Sequence, residues 1–228
     1  MKQALVGAGE YLPNMEPVDR VLLERLGKSA NVVCIPAGAG TEGEARIRYW
    51  SDLGVNHFTK LGVNVKAVEV IDSATANDPA LADQILEANF IYFSGGKPAY
   101  LYDTLKDSLA WNAVETVLAN GGLMAGCSAG AMIQGSKIIG RLKLSDGFGL
   151  LPNSVILPHF DEYPGFLARA SRLISGSDII TYGIDGMTAL YRDGDSLEVI
   201  GSGGVTILSQ DGKKRYTAGP IPNDEMIG

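Results

Sequence analysis

Residues 121–131 read Gly-Gly-Leu-Met-Ala-Gly-Cys-Ser-Ala-Gly-Ala, a short apolar run that leads into Gly126-Cys127-Ser128-Ala129-Gly130 and then into small, helix-compatible residues as far as Gln134. A serine centred between two glycines at a strand-to-helix junction is the pattern of a nucleophile elbow. There the chain turns so sharply that the residues two before and two after the serine must have almost no side chain if the backbones are to pass. Such a turn lifts the Ser128 hydroxyl above the carboxyl end of a sheet and sets it at a helix N-terminus. It also aims the Ala129 amide at an oxygen bound beside it. The chemistry this suits is nucleophilic attack on a carbonyl.

An alkyl hydroxyl needs a base, and near neutral pH that base is usually histidine. The chain has two, His57 and His159. His57 lies in a helical stretch and reads as a packing or surface residue. His159 follows the strand-like Val155-Ile156-Leu157 at a point from which a strand-end loop reaches Ser128, and is the expected base. A third group would orient the imidazole. Asp146 is the only acid between Ser128 and His159 and leads by position, with Asp161, Glu162 and Asp185 as alternatives. A second strand-like run, Phe90 to Phe93, ends in Ser94-Gly95-Gly96-Lys97, where unshielded glycine amides are placed to supply a further oxyanion donor.

These groups need a scaffold that brings strand ends together. Ala4–Gly7, Asn31–Ile35, Val65–Ile71, Phe90–Phe93 and Leu123–Cys127 read as buried strands. Between them, Val18–Leu26, Thr41–Leu61 (with a break at Gly54), Asp78–Glu87 and Pro98–Leu118 carry helical periodicity. Alternation of this kind predicts an α/β fold, a doubly wound and mostly parallel sheet that binds ligands past the carboxyl ends of its strands. Gly7-Ala8-Gly9-Glu10 reads as a strand-end loop facing that edge, since Leu12 stands where a dinucleotide fingerprint needs its third glycine. Ser136–Leu150 reads as a loop or short hairpin and Gly165–Ile174 as amphipathic. Beyond Ile179, short strands separated by Asp-Gly and Gly-Gly turns predict C-terminal hairpins at the sheet edge. At 228 residues and 46% hydrophobic, one domain over residues 1–228 is the natural count.

Composition removes several function classes. A net charge of −7 with no run of Lys or Arg longer than Lys213-Lys214-Arg215 argues against nucleic acid or an anionic membrane as partner and leaves small molecules or peptides. Cys34 and Cys127 sit in apolar strand-like runs, as buried thiols of a reducing compartment do. Two Cys and two His at scattered positions do not make a zinc site. The short N-terminal apolar run is no signal peptide, so a cytoplasmic location is expected. The chemistry requires neither metal nor organic cofactor.

Gly126-Cys127-Ser128-Ala129-Gly130-Ala131, Gly147-Phe148-Gly149-Leu150-Leu151-Pro152, Pro158-His159-Phe160 and Gly183-Ile184-Asp185, taken with Phe93-Ser94-Gly95-Gly96, resemble the peptidase S51 family of dipeptidase E and the cyanophycinases. The match spans most of the chain. The resemblance implies a single-domain class I glutamine amidotransferase-like fold (a flavodoxin-like three-layer sandwich), serine hydrolase chemistry, a small peptide substrate such as an aspartyl or related dipeptide, and self-association into dimers. It assigns Ser128 as nucleophile, His159 as base and the Gly96 and Ala129 amides as oxyanion donors. Arg169 resembles the arginine with which dipeptidase E holds an acidic side chain, a role that suits a guanidinium fork.

Several departures bear on substrate. Lys97 puts a positive charge at the pocket edge where relatives often have Asn or Asp. Asp161-Glu162-Tyr163-Pro164 replaces the arginine cluster that follows His-Phe in cyanophycinases. Gly186 stands where those enzymes tend to have an acid, and the segment between Ser128 and His159 is short. The alternatives to a serine peptidase are a cyanophycinase-like exopeptidase, a non-catalytic binding homologue with a degraded triad, and a thiol enzyme using Cys127. The last is disfavoured, because Cys127 occupies the variable position before the serine.

Overall fold

The computed structural model describes residues 1–140, 144–162 and 178–222. Arg169 and the amphipathic stretch around it lie outside these. Five strands, β1 (Lys2–Val6), β2 (Asn31–Ile35), β3 (Asn64–Ala67), β4 (Phe90–Phe93) and β5 (Leu123–Cys127), run parallel in the order β1-β5-β4-β2-β3. Their carboxyl ends therefore share one edge, and the loops that begin at Gly7, Pro36, Ser94 and Ser128 crowd together there.

Alternate residues of these strands serve opposite faces, as the two-residue period of a strand requires. Val32, Cys34, Phe90, Tyr92, Leu123 and Ala125 pack under α1 (Glu16–Leu26) and α2 (Glu44–Lys60). Val33, Ile35, Ile91, Phe93 and Met124 pack under a layer that includes α3 (Ser73–Ala76), α4 (Pro79–Leu86), α5 (Pro98–Leu105) and α6 (Leu109–Ala119). Helix ends follow local chemistry. Gly27 closes α1 in the left-handed conformation with φ 75°, and Asp78 caps α4 by accepting from the Ala80 amide. Ser108 caps α6 and divides the helical pattern after Pro98 into two helices.

The expected break at Gly54 is absent: α2 runs through it. A Cβ there would lie 2.9 Å from the Cys34 sulfur and 3.0 Å from the Tyr11 ring, so this glycine serves close packing of helix on sheet. His57, also on α2, is buried and bonded to Asp19 at 2.8 Å. Burial pushes the Asp19 carboxyl up, and the hydrogen bond to His57 opposes that.

The carboxyl-terminal half differs from the expected arrangement of hairpins along one sheet edge. β10 (Thr188–Asp193), β11 (Ser196–Gly201) and β14 (Gly219–Ile221) do extend the first sheet antiparallel from β1, giving eight strands. The other strands form a second sheet of six in the order β13-β12-β9-β8-β6-β7, made of β6 (Gly135–Ile139), β7 (Leu144–Asp146), β8 (Leu151–Pro158), β9 (Ile180–Ile184), β12 (Val205–Ser209) and β13 (Gly212–Tyr216). Burial explains the second sheet. Leu5, Leu190, Leu197 and Val199 of the first sheet meet Ile156, Tyr182, Ile184, Val205 and Ile207 of the second in one apolar layer. Strands β8 and β9 are parallel and in register at Pro158 and Ile184, so His159 and Asp185 leave that sheet side by side. No helix among the described residues is long and apolar enough to cross a membrane.

Candidate active site

Ser128 links β5 to the short helix α7 (Ala129–Met132) with φ 51° and ψ −110°, a conformation that an L-residue adopts only under strain. The turn is held from both sides. The Ser128 amide donates to the Val6 carbonyl of β1, and its carbonyl accepts from the Ala131 and Met132 amides of α7. The flanking glycines meet the spacing requirement read from the sequence. A Cβ on Gly126 would sit 2.2 Å from the Gly130 carbonyl oxygen, and one on Gly130 would sit 2.6 Å from the Phe93 carbonyl oxygen.

His159 arrives from the second sheet, just past the end of β8, and its Nε2 lies 2.7 Å from Ser128 Oγ. A turn of 3-10 helix at Phe160–Glu162 follows, closed by the Glu162 amide on the His159 carbonyl. The Phe160 ring lies flat on β9: a Cβ at Gly183 would come within 2.4 Å of it. Gly183 thus seats Phe160, and through it the neighbouring His159. The two sheet ends are tied together where the Met187 amide donates to the Ala8 carbonyl.

The turn after β4 reaches the serine: a Cβ on Gly95 would lie 3.8 Å from Ser128 Oγ. Among the described residues neither the Ala129 nor the Gly96 N–H donates to a protein acceptor. Ala129 is the first residue of α7, so its amide is one of the donors a helix N-terminus leaves free. Gly96 has φ 136°, and a Cβ there would fall 2.2 Å from the Gly38 carbonyl oxygen. That carbonyl also accepts from the Lys97 amide at 3.0 Å, fixing the turn after β4 against the turn after β2. The exposed Lys97 ammonium donates to Thr41 Oγ1 at 2.8 Å.

The carboxylates fall elsewhere than the sequence suggested. Asp146 does not come to the imidazole. It lies on β7, the end strand of the second sheet, where its exposed carboxylate takes the Lys137 ammonium at 2.7 Å, which lowers its pKa. The β6–β7 hairpin turns it away from β8. Asp185 is buried and fully engaged, accepting from the Gly204 amide and from Arg215 at 2.6 Å. Asp161 accepts the Gly186 amide at 2.9 Å, and Glu162 is exposed. Among the described residues, no carboxylate is hydrogen-bonded to the His159 ring. Arg169 lies outside the described residues. Cys127 is buried behind the turn with its pKa well above that of an ordinary thiol, through burial and the neighbouring Glu10, so it presents no thiolate to the site.

The same geometry shows a residue the sequence reading passed over. Glu10, in the loop after β1, is 9% exposed and sends its carboxylate beneath the turn after β4. Its place at the end of a glycine-containing strand-end loop was the available signal.

The model of peptidase family S51 matches residues 4–200, nearly the whole described chain. The chain belongs to peptidase family S51. Among solved structures, a peptidase from an acI-B1 actinobacterium is 34% identical and superposes with a TM-score of 0.86, over 96% of each chain. A candidate peptidase E from Listeria monocytogenes EGD-e shares the fold at 19% identity, with a TM-score of 0.66 over 88% of this chain and 98% of that one. Among curated proteins, a cyanophycinase from Synechococcus elongatus is 26% identical over 217 residues; the match takes in 89% of this S51 chain but 66% of the cyanophycinase.

Proposed function

We propose that this S51 family member is a serine peptidase that cleaves small peptides through an acyl-enzyme, with the strand-to-helix turn at Ser128 as its nucleophile elbow. The observation that carries the reading is the 2.7 Å contact between Ser128 Oγ and His159 Nε2 across two sheets. As the hydroxyl attacks the peptide carbonyl, His159 Nε2 takes its proton, and the carbonyl oxygen becomes an oxyanion held by the Gly96 and Ala129 N–H groups. Each such donor supports about 3 to 4 kcal/mol of transition-state stabilisation in sites of this kind. The imidazolium then gives its proton to the departing amine, leaving an ester on Ser128. Water, deprotonated by the same imidazole, releases the acid product and restores the hydroxyl.

In this scheme the working pair is Ser128 and His159, and Asp146 takes no part. Lys97, in the turn after β4, would offer a cation to an acidic side chain, so aspartyl and β-aspartyl dipeptides are the first substrates to test. Wild-type protein is expected to hydrolyse at least one of them, and Ser128→Ala to lower kcat by about 10⁴-fold or more. Turnover that survives this substitution ends the proposal. One observation favours a second reading, a homologue that binds peptides without cleaving them: no described carboxylate orients the His159 ring. That reading predicts saturable dipeptide binding with no product from either protein.

A further inference from the structure

The Ser94-Gly95-Gly96-Lys97 turn has an unusual problem. Its proposed task is to aim one N–H at a developing oxyanion, yet it is built from two adjacent glycines, the residues that hold a peptide plane least firmly. A planar trans peptide points its carbonyl and its N–H in opposite directions, so a flip of the Gly95–Gly96 unit would turn the Gly96 N–H away from Ser128. Something outside the turn has to fix the plane.

The structure restrains that plane on one side and the peptide before it on the other. On one side, Gly38 lies so close that a Cβ there would be 2.5 Å from the Gly95 carbonyl oxygen, so that oxygen faces the turn after β2 and the Gly96 N–H faces the other way. On the other side is Glu10. Its Oε1 accepts the Gly95 N–H, which belongs to the preceding Ser94–Gly95 peptide, at 2.8 Å, and its Oε2 accepts the Cys127 thiol at 3.0 Å, joining the loop after β1 to the turn after β4 and to the residue before Ser128. The fit is tight: a Cβ on Gly95 would lie 2.8 Å from Glu10 Oε1 and 3.4 Å from Ser128 Cβ. Glu10 is itself held by its neighbour. Tyr11 has a positive φ of 64° and its buried ring packs 4.9 Å from Tyr92 and 6.2 Å from Phe58.

We propose that Glu10 is a positioning residue for the reaction. By holding the Ser94–Gly95 peptide it fixes the point from which the Gly95–Gly96 unit departs, and so helps present the Gly96 amide to the oxyanion without touching substrate or Ser128. The proposal rests on the serine peptidase reading above. It predicts that loss of the acceptor at position 10 lowers the share of molecules with a correctly aimed donor, and so lowers kcat while leaving KM unchanged. A charged hydrogen bond and an oxyanion donor have comparable worth, which sets the loss on the order of 10- to 100-fold.

The test compares wild type, Glu10→Ala, Glu10→Met and Glu10→Gln on a cleaved dipeptide, with thermal unfolding of each and with Ser128→Ala as control. Glutamine keeps a carbonyl oxygen for the Gly95 N–H and offers its amide to the Cys127 sulfur, so Glu10→Gln is expected to keep kcat within about threefold of wild type, a rescue that follows from the same hydrogen-bond accounting. Methionine fills the space without an acceptor. Should Glu10→Ala not fold, Glu10→Met carries the comparison and is expected to show the same kcat loss at unchanged KM. The proposal is overturned if the apolar variants retain wild-type kcat, if they change KM alone, or if Glu10→Gln is as impaired as they are. Turnover by Ser128→Ala would instead strike down the underlying serine reading, so the two failures are told apart.

Discussion

Replacing Ser128 by glycine and by alanine separates the strain of the turn from the chemistry of the hydroxyl. Both variants lose the nucleophile, but alanine keeps a Cβ at φ 51° and ψ −110° whereas glycine does not. A backbone in such a sparsely populated region costs about 1 to 3 kcal/mol for a residue with a Cβ. Glycine recovers that cost but gives back about 0.5 to 1 kcal/mol through the greater freedom of the unfolded chain. Ser128→Gly is therefore expected to be more stable than Ser128→Ala by about 1 kcal/mol, a rise in Tm of about 2 to 4 °C for a chain of this size. Guanidinium unfolding of the two variants, with equal m-values, measures it. A glycine variant less stable than the alanine variant by 0.5 kcal/mol or more, taking about half the expected gain as the threshold, would refute the claim that the turn stores strain at its serine.

Other expectations follow from the same geometry. Gly96→Ala places a Cβ 2.2 Å from the Gly38 carbonyl oxygen at a φ of 136°, so the turn must shift, and kcat should fall by about 100-fold with the fold retained; steady-state kinetics and far-UV circular dichroism check both halves. Asp146→Asn breaks the exposed pair with Lys137 and should leave kcat within about twofold and the unfolding midpoint essentially unchanged. For pH, burial pushes the Cys34 thiol from 9.0 up to about 12. The unfolded chain therefore releases this proton first, so above pH 9 the native state binds more protons than the unfolded state and loses stability as pH rises toward 12. Unfolding free energies at pH 8 and pH 10.5 should show this fall, and Cys34→Ala should flatten part of it.

What the sequence made legible was local. Ser128, its two flanking glycines and the start of α7 lie within a few residues of one another, and the steric demand of the turn is written in that stretch alone. The five parallel strands were readable because each is a short apolar run bounded by turn residues, as in Phe90–Phe93. His159 could be found because the chain offers two histidines and one of them ends a strand. The second sheet was not legible, because the partners of β8, β9 and β12 are set by which apolar faces remain uncovered, a property of the assembled core. Asp146 was misplaced for a related reason: order along the chain put it between Ser128 and His159, but the antiparallel hairpin of β6 and β7 carries it to a sheet edge. Glu10 was hidden by distance, since its partners lie 85 and 117 residues further along the chain.

The central claim is that the Ser128 hydroxyl is a nucleophile activated by His159. Intact-mass analysis after exposure to a fluorophosphonate, followed by peptide mapping, tests it most directly. The account predicts one adduct per chain, located on Ser128, with none on Ser128→Ala and sharply slowed labelling of His159→Ala. An unlabelled wild-type protein, or an adduct that persists when Ser128 is replaced, would contradict it.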